Sequence, residues 1–375
     1  QSGVICAGKV VEGDRQTIHA RFKFFEKTHL EKIGQFLSFW PEVPIETQRE
    51  LSLLQEQNSK SDLEEVKSTI FSDMRDKSVA RFIIANLDPE PLGVGTIGEV
   101  YKSKLPDGTP IAVKVVTPSK EANFRATLGK ANRVKHLLGL YRDEVPFASE
   151  AIRFIEMFEQ MTTAELDLTN ELVNAQRFQQ LFGNDFEIPH HYAEYSSAKV
   201  EVQQFIHGTR LKDMPVSARS SVLNELKAHF MLNQVATHGF YGSDFQPGNI
   251  QIDPRNKTQL IDFGQMGVLN EHERQLIASF VQAYQFGQAS RVVQVLEQMG
   301  AKSPTYSAQT AKSLEGQVRA HLNQDHGHQI SRSVSEIFRA CGSSGLIIDL
   351  PYLQLVKGLA TLEGTINTMA SGQHR

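Results

Sequence analysis

Hydrophobic and polar positions change texture twice along this chain. The first stretch is helical in pattern: apolar and aromatic residues (Phe22, Phe25, Phe36, Trp40) recur through 18–40, and Pro41 and Pro44 end the run. Two further helices are predicted over 45–57 and 61–74, the second opening on Asp62, Glu64 and Glu65 at its positive end. At Leu87 the texture turns strand-like. Ile111, Val113 and Val115 alternate on one face, and Pro106-Asp107-Gly108 separates this run from the β-like residues after Gly98, so a hairpin is predicted. Helix returns from Ser119 to about Phe182, strand over 199–206, and a long helix over 216–238. A short hairpin follows, 250–253 with 259–262. Asn270 and Glu273 then form a capping-box signature ahead of Leu276, Ile277 and Phe280. Further helices are expected at 291–299, 309–323, 332–340 and 352–369.

Composition narrows the class. A length of 375 residues accommodates two modest domains or one two-lobed domain. Hydrophobic and charged fractions of 40% and 22% describe an ordinary globular chain rather than a disordered one. A formal net charge of -4 leaves no basic footprint, so nucleic acid is not an expected partner. Cys6 and Cys341 are too few for a disulfide scaffold or a cysteine-rich zinc site, and they favour a reducing compartment. No run reaches the roughly 18–20 apolar residues that a membrane helix needs. The nearest, 346–366, is broken by Asp349, Pro351, Lys357 and Glu363 and reads as a packed helix.

The chemistry concentrates in a few spacings. Gly93, Gly95, Thr96 and Gly98 precede the hairpin, where glycines let backbone N–H groups approach phosphate. A dinucleotide fold would need a helix directly after them. A second strand follows instead, carrying Lys114. Asp244 stands five residues before Asn249, which stands thirteen before Asp262-Phe263-Gly264; kinase catalytic and metal loops share these spacings. Asp167 and Glu171 share a helical face close to Glu165, and one of these acids is expected to pair with Lys114. The 199–206 strand would end in a hinge where the backbone of Gln204 and Ile206 reads an adenine edge. Only five residues separate Gly264 from Asn270, too few for a peptide-binding activation segment, and no Ala-Pro-Glu anchor follows. His190-His191, and His321 with Asp325, His326 and His328, read as loop residues rather than metal ligands.

Together these motifs resemble the UbiB group, also called AarF or ADCK proteins, of atypical kinase-like ATPases. Lys32-x-Gly34-Gln35 is similar to the group's K-x-G-Q motif, and Glu165-x-Asp167 with Glu171 and Asn174 to its acidic helix. Asp244-x-x-Pro247-Gly248-Asn249 and Asp262-Phe263-Gly264 match its catalytic and metal motifs, and 355–364 looks like its C-terminal helix. The resemblance implies an α+β, two-lobed, protein-kinase-like fold. A helical extension (1–86) would carry the K-x-G-Q motif and lie over the site, followed by an N-lobe (87–208) and a mostly helical C-lobe (209–375).

The resemblance also implies ATP and Mg²⁺ as cofactors. Lys114 would hold the phosphates with Glu171 as its partner, under the glycine loop. Asn249 and Asp262 would hold the metal, Asp244 would orient the nucleophile, and Glu165 and Asp167 would meet Lys32 or the metal. The implied role is ubiquinone or other prenyl-lipid metabolism. It brings a prenyl-lipid or small-molecule substrate and a peripheral membrane location, cytoplasmic in a bacterium or organellar in a eukaryote. The alternatives are a small-molecule or lipid phosphotransferase and a pseudokinase scaffold. The chain departs from the group in its motifs: Gly93-Val94-Gly95-Thr96 stands where the group has an alanine-rich loop, Gly242 replaces the histidine two before Asp244, and Gln246 replaces that of H-P-G-N.

Overall fold

The computed structural model of the chain describes residues 60–95, 97–140, 163–323 and 330–370, with positions 152, 155, 156, 159 and 160. The helices expected over 18–40 and 45–57, with Lys32 and Gln35, lie outside the described residues. So do Thr96, Asp325, His326 and His328.

Helix α1 (Leu63–Asp73) begins at Asp62, whose carboxylate accepts the Glu64 N–H at 2.8 Å. A helix absent from the expectations follows: α2 (Lys77–Ala85), capped by Asp76, which takes the N–H groups of Ser78 and Val79. Its single buried stripe of Val79, Ala80 and Ile83 is too short to establish a period in the sequence. The two helices cover one face of an antiparallel sheet ordered β1 (Gly93–Val94), β2 (Glu99–Lys104), β3 (Pro110–Val115), β4 (Val200–Gln204). Tyr101, Val113 and Val202 stand opposite one another in register and join Ile70, Met74 and Ile83 in that core. Because side chains alternate along a strand, Lys114 points to the other face, between Val100 and Glu201. Between β3 and β4 run α3 (Pro118–Leu140) and α4 (Thr169–Phe182).

Beyond β5 (Thr209–Arg210), helix α5 (Val216–His229) continues as a π-helix over Phe230–His238, which Gly239 ends with φ 60°. Four short strands follow: β6 (Phe240–Gly242), β7 (Ile250–Ile252), β8 (Thr258–Leu260) and β9 (Met266–Val268). β7 and β8 form the expected hairpin; β6 pairs with β9, a pairing the sequence did not announce. The capping box at Asn270 opens α6 (Glu271–Gln285), as expected. After it come α7 (Ala289–Leu296), β10 (Gly300–Lys302), α8 (Ala308–Leu322), α9 (Ile330–Ser343), β11 (Leu346–Ile348) and α10 (Leu350–Ala370). A core of Phe178, Phe182, Leu226, Phe230, Phe240, Phe263 and Leu362 joins α4, α5 and α10 around the short strands. Residues of α6 to α9 form a second core. Among the described residues, no helix is long and apolar enough to cross a membrane.

One polar chain runs through the first of these cores. Gln234, fully buried on the π-helix, accepts the Gly242 N–H at 3.1 Å and donates to His229 Nδ1 at 3.2 Å. His229 Nε2 in turn lies 3.2 Å from Asp185, and its ring sits edge-on to Phe182 and Phe186. Burial pulls the His229 pKa below the usual histidine value, with Asp185 opposing.

Two outcomes follow from this packing. Leu362→Ala, at a fully buried site, should cost about 2–5 kcal/mol, read as a lower urea midpoint at unchanged slope; a loss below about 1 kcal/mol would contradict the placement. As pH falls below the unfolded histidine's pKa, the unfolded chain takes up the proton that folded His229 resists. Stability present above that pKa is then lost on acidification. His229→Asn should flatten this loss relative to the wild type, and an unchanged slope would remove His229 from the account.

Candidate functional site

The site begins at Lys114, which the strand alternation carries to the face of the sheet away from α1 and α2. Its Nζ lies 2.6 Å from Glu171 Oε2 and 3.5 Å from Asp262 Oδ2. Glu171 comes from the first turn of α4 and is 3% exposed, so the acid that the sequence left open among three is Glu171. Its other oxygen accepts the Phe263 N–H at 3.2 Å, tying the helix to the Asp262-Phe263-Gly264 turn. Asn174, one turn further along α4, donates to the Phe263 carbonyl at 3.0 Å. Burial alone would pull the Lys114 pKa down, but the Asp262 and Glu171 carboxylates outweigh it and hold it well above the usual lysine value. Burial pushes the Glu171 carboxyl up, against the pull of Lys114.

The glycine loop lies against this lysine. A Cβ added to Gly98 would sit 3.3 Å from the Val115 carbonyl and 3.6 Å from Lys114 Cγ, so a side chain there would crowd that carbonyl and touch the lysine stem. The loop is closed by the Gly95 N–H to Gly98 carbonyl bond at 2.8 Å, and Lys120 donates to the Gly95 carbonyl at 3.1 Å. Lys120 also lies 3.5 Å from buried Glu99, which takes hydrogen bonds from Ser61 and Tyr101. Gly93 is exposed at the start of the loop. At the far end of the sheet Gln204 closes β4, its N–H bonded to the His190 carbonyl at 2.7 Å, and half-buried Ile206 lies two residues beyond.

His190-His191 lies in the segment between α4 and β4, outside the named strands. His191 is nonetheless buried: its Nδ1 lies 2.9 Å from Glu201, the fully buried residue opposite Lys114 in β4, and its ring packs edge-on to Phe263.

The loop after β6 brings Asp244 and Asn249 to the same place. Asn249 Nδ2 donates to the Asp244 carbonyl at 3.1 Å, which turns the amide oxygen to other uses. Burial pushes the Asp244 pKa up to about 6; the Lys357 ammonium opposes, while Asp262 and Glu165 raise it further. A carboxylate so placed is ionised at neutral pH and basic enough to take a proton. At Gly242 a Cβ would lie 2.7 Å from the ring of buried Phe245, so that ring occupies the room a histidine would need. Gln246 is exposed.

Glu165 accepts a hydrogen bond from Gln265 Nε2 at 2.8 Å, and Gln265 Oε1 accepts one from Lys357 of α10. Asp167 is exposed and takes the N–H and hydroxyl of Thr169, at 3.0 and 2.6 Å, as a local cap for α4. Gln265 and Lys357 carry no local signal in the sequence, because their contacts span 92 to 100 positions of chain.

The donors suit a hard cation. Asp262 offers carboxylate oxygen and Asn249 an amide oxygen, the ligand types that magnesium takes in phosphate sites. Among the described residues no group of three or more acids, histidines or cysteines could hold an ion, so a cation here would draw its remaining oxygens from a ligand or from water.

Comparison with known proteins gives the family. The ABC1 atypical kinase-like domain matches residues 53–296. An uncharacterised chloroplastic aarF domain-containing protein kinase of Arabidopsis thaliana is 28% identical over 71% of this chain and 38% of its own length. The probable protein kinase UbiB of Marinobacter nauticus is 28% identical over 59% of this chain and 42% of its own. The chain thus spans about two fifths of the length of these relatives. The structure of Rv3197 from Mycobacterium tuberculosis in complex with erythromycin aligns over 95% of this chain and 98% of that one. Its TM-score is 0.50 at 19% identity, a likeness of fold. With its lysine, acidic helix and two aspartate loops inside the matched region, the chain belongs to the ABC1 atypical kinase-like family.

Proposed function

We propose that this chain binds Mg-ATP and transfers or hydrolyses its terminal phosphate as an atypical kinase or ATPase of the ABC1/UbiB type. The observation that carries the reading is the Lys114–Glu171–Asp262 cluster beneath the glycine loop. Glu171 holds the ammonium in place, and Lys114 then offers its charge to phosphate oxygens. Gly93, Gly95, Thr96 and Gly98 would cover the phosphates with backbone N–H groups, and the backbone at Gln204 and Ile206 would meet the adenine. Asn249 and Asp262 would hold Mg²⁺, which, when bound, neutralises charge on the phosphates. Asp244 orients the attacking hydroxyl or water and accepts its proton.

In this reading the chain has two lobes, 87–208 and 209–375, with the nucleotide between them. The extension over 1–86 would bring Lys32 and Gln35 over the site, and Glu165 and Asp167 would face it. A peptide is a poor acceptor, because β9 and the capping box occupy all of the short stretch after Gly264. A prenyl-lipid or other small-molecule acceptor, in ubiquinone or related metabolism at a membrane surface, fits better, and the UbiB name of a relative points the same way. A phosphorylated small-molecule product, rather than free phosphate alone, would identify the transferase form.

The test is thermal. Mg-ATP should raise the melting temperature of the wild type by several degrees, by mass action on the folded state. Asp262→Asn should lose most of that rise while melting near the wild type without ligand. Equal stabilisation of both proteins would remove Asp262 from the site. No stabilisation of the wild type would remove the nucleotide.

A further inference from the structure

One cation close to Asp244 has no part in the roles above. Lys357 lies on α10, and its Nζ donates to the side-chain oxygen of Gln265, a neutral amide three residues past Asp262. The side chain is half-buried rather than a solvated surface lysine. The helix that delivers it is pressed onto the two loops that carry the site. A Cβ on Gly358 would stand 3.2 Å from Ser243 Cα and 3.3 Å from the Gly242 carbonyl, so the helix backbone packs closely on the loop at this glycine. Thr365 donates to the Phe245 carbonyl at 2.8 Å and Gln354 to the Met266 carbonyl at 3.2 Å. Gln354, Gly358 and Thr365 fall four and seven residues apart, on one face of α10, and Lys357 sits at its border. The loop and strand are themselves joined, since the Gln265 carbonyl accepts both the N–H and the hydroxyl of Ser243.

Charge has a use at this point. In phosphoryl transfer, negative charge spreads over the three outer oxygens of the moving group, and catalysis comes mainly from positioning and electrostatic stabilisation. Lys114 is engaged by two carboxylates on the sheet side of the site. Lys357 comes from α10, the helix packed on the Asp244 loop, and its charge opposes the rise in the Asp244 pKa.

We propose that Lys357 is a catalytic residue: its ammonium, carried to the Asp244 loop by α10, contacts the phosphoryl group in flight and stabilises its charge. The inference rests on the nucleotide reading above and adds to it a second cation, on the helix packed against the Asp244 loop. No bond is made to Lys357. The phosphorus–oxygen bond to the leaving ADP breaks, the bond to the acceptor oxygen forms, and the acceptor proton passes to Asp244.

The experiment is a calorimetric titration of the full chain with Mg-ADP, alone and with aluminium fluoride, which imitates the phosphoryl group between donor and acceptor. Two variants are compared with the wild type. Lys357→Gln keeps an N–H for Gln265 without the charge, and Lys357→Arg keeps the charge. The wild type should bind the aluminium fluoride complex more tightly than Mg-ADP. Lys357→Gln should bind Mg-ADP within about twofold of the wild type and lose at least about tenfold on the aluminium fluoride complex, and Lys357→Arg should recover most of that loss. The inference is overturned if Lys357→Gln binds both complexes as the wild type does, or weakens on both equally with a lower melting temperature. It is also overturned, with the nucleotide reading left standing, if the wild type binds Mg-ADP but gains nothing from aluminium fluoride. A wild type that binds neither complex removes the underlying reading as well.

Discussion

The contact between Lys114 and Glu171 is the constraint around which the site is arranged. It spans 57 positions of chain, joins the third strand of the sheet to the first turn of α4, and leaves both groups largely out of water. A buried ion pair gains little over a well-packed apolar pair, but breaking one by removing a single partner costs roughly 3–5 kcal/mol. The pair therefore serves less as glue than as a fixed register between sheet and helix. Once that register is set, the second oxygen of Glu171 fixes Phe263, Asn174 fixes the carbonyl beyond, and Asp262 is held 3.5 Å from the same ammonium. A strand, a helix and a turn from three parts of the chain thus meet at one positive charge.

Around this centre the loops are held by hydrogen bonds from other parts of the chain. The Asp244 loop is fastened from three directions: Gln234 of the π-helix holds Gly242, the Gln265 carbonyl holds Ser243, and Thr365 of α10 holds Phe245. Phe245 fills the space that a histidine at position 242 would take, so its packing gives a physical reason for the glycine. The ABC1 family match, over residues 53–296, covers the lysine, the acidic helix and both aspartate loops.

Much of this was legible in the sequence, for identifiable reasons. The hairpin bearing Lys114 showed because alternation and a Pro-Asp-Gly turn are local signals. The capping box at Asn270 showed because its two partners are three residues apart. Asp244, Asn249 and Asp262 stood out through fixed spacing, and the structure brings their loops together. What could not be read depends on distance or brevity. The β6–β9 pairing joins two strands of three residues each, too short to carry a period. The choice of Glu171 over Asp167 turns on where α4 begins: Asp167 falls just before its first turn and caps it, while Glu171 faces inward. The burial of His191 could not be read because its partner Glu201 becomes a neighbour only when β4 enters the sheet.

In the function proposed, Lys114, Glu171 and Asp262 form the phosphate and metal end of a nucleotide site. A crystal structure of the full chain with Mg²⁺ and a non-hydrolysable ATP analogue decides whether they do. The analogue's phosphates should lie between the glycine loop and Lys114, with the metal on Asp262 and Asn249 and the Lys114–Glu171 pair intact. A nucleotide bound elsewhere, or a metal held without Asp262, would refute that function.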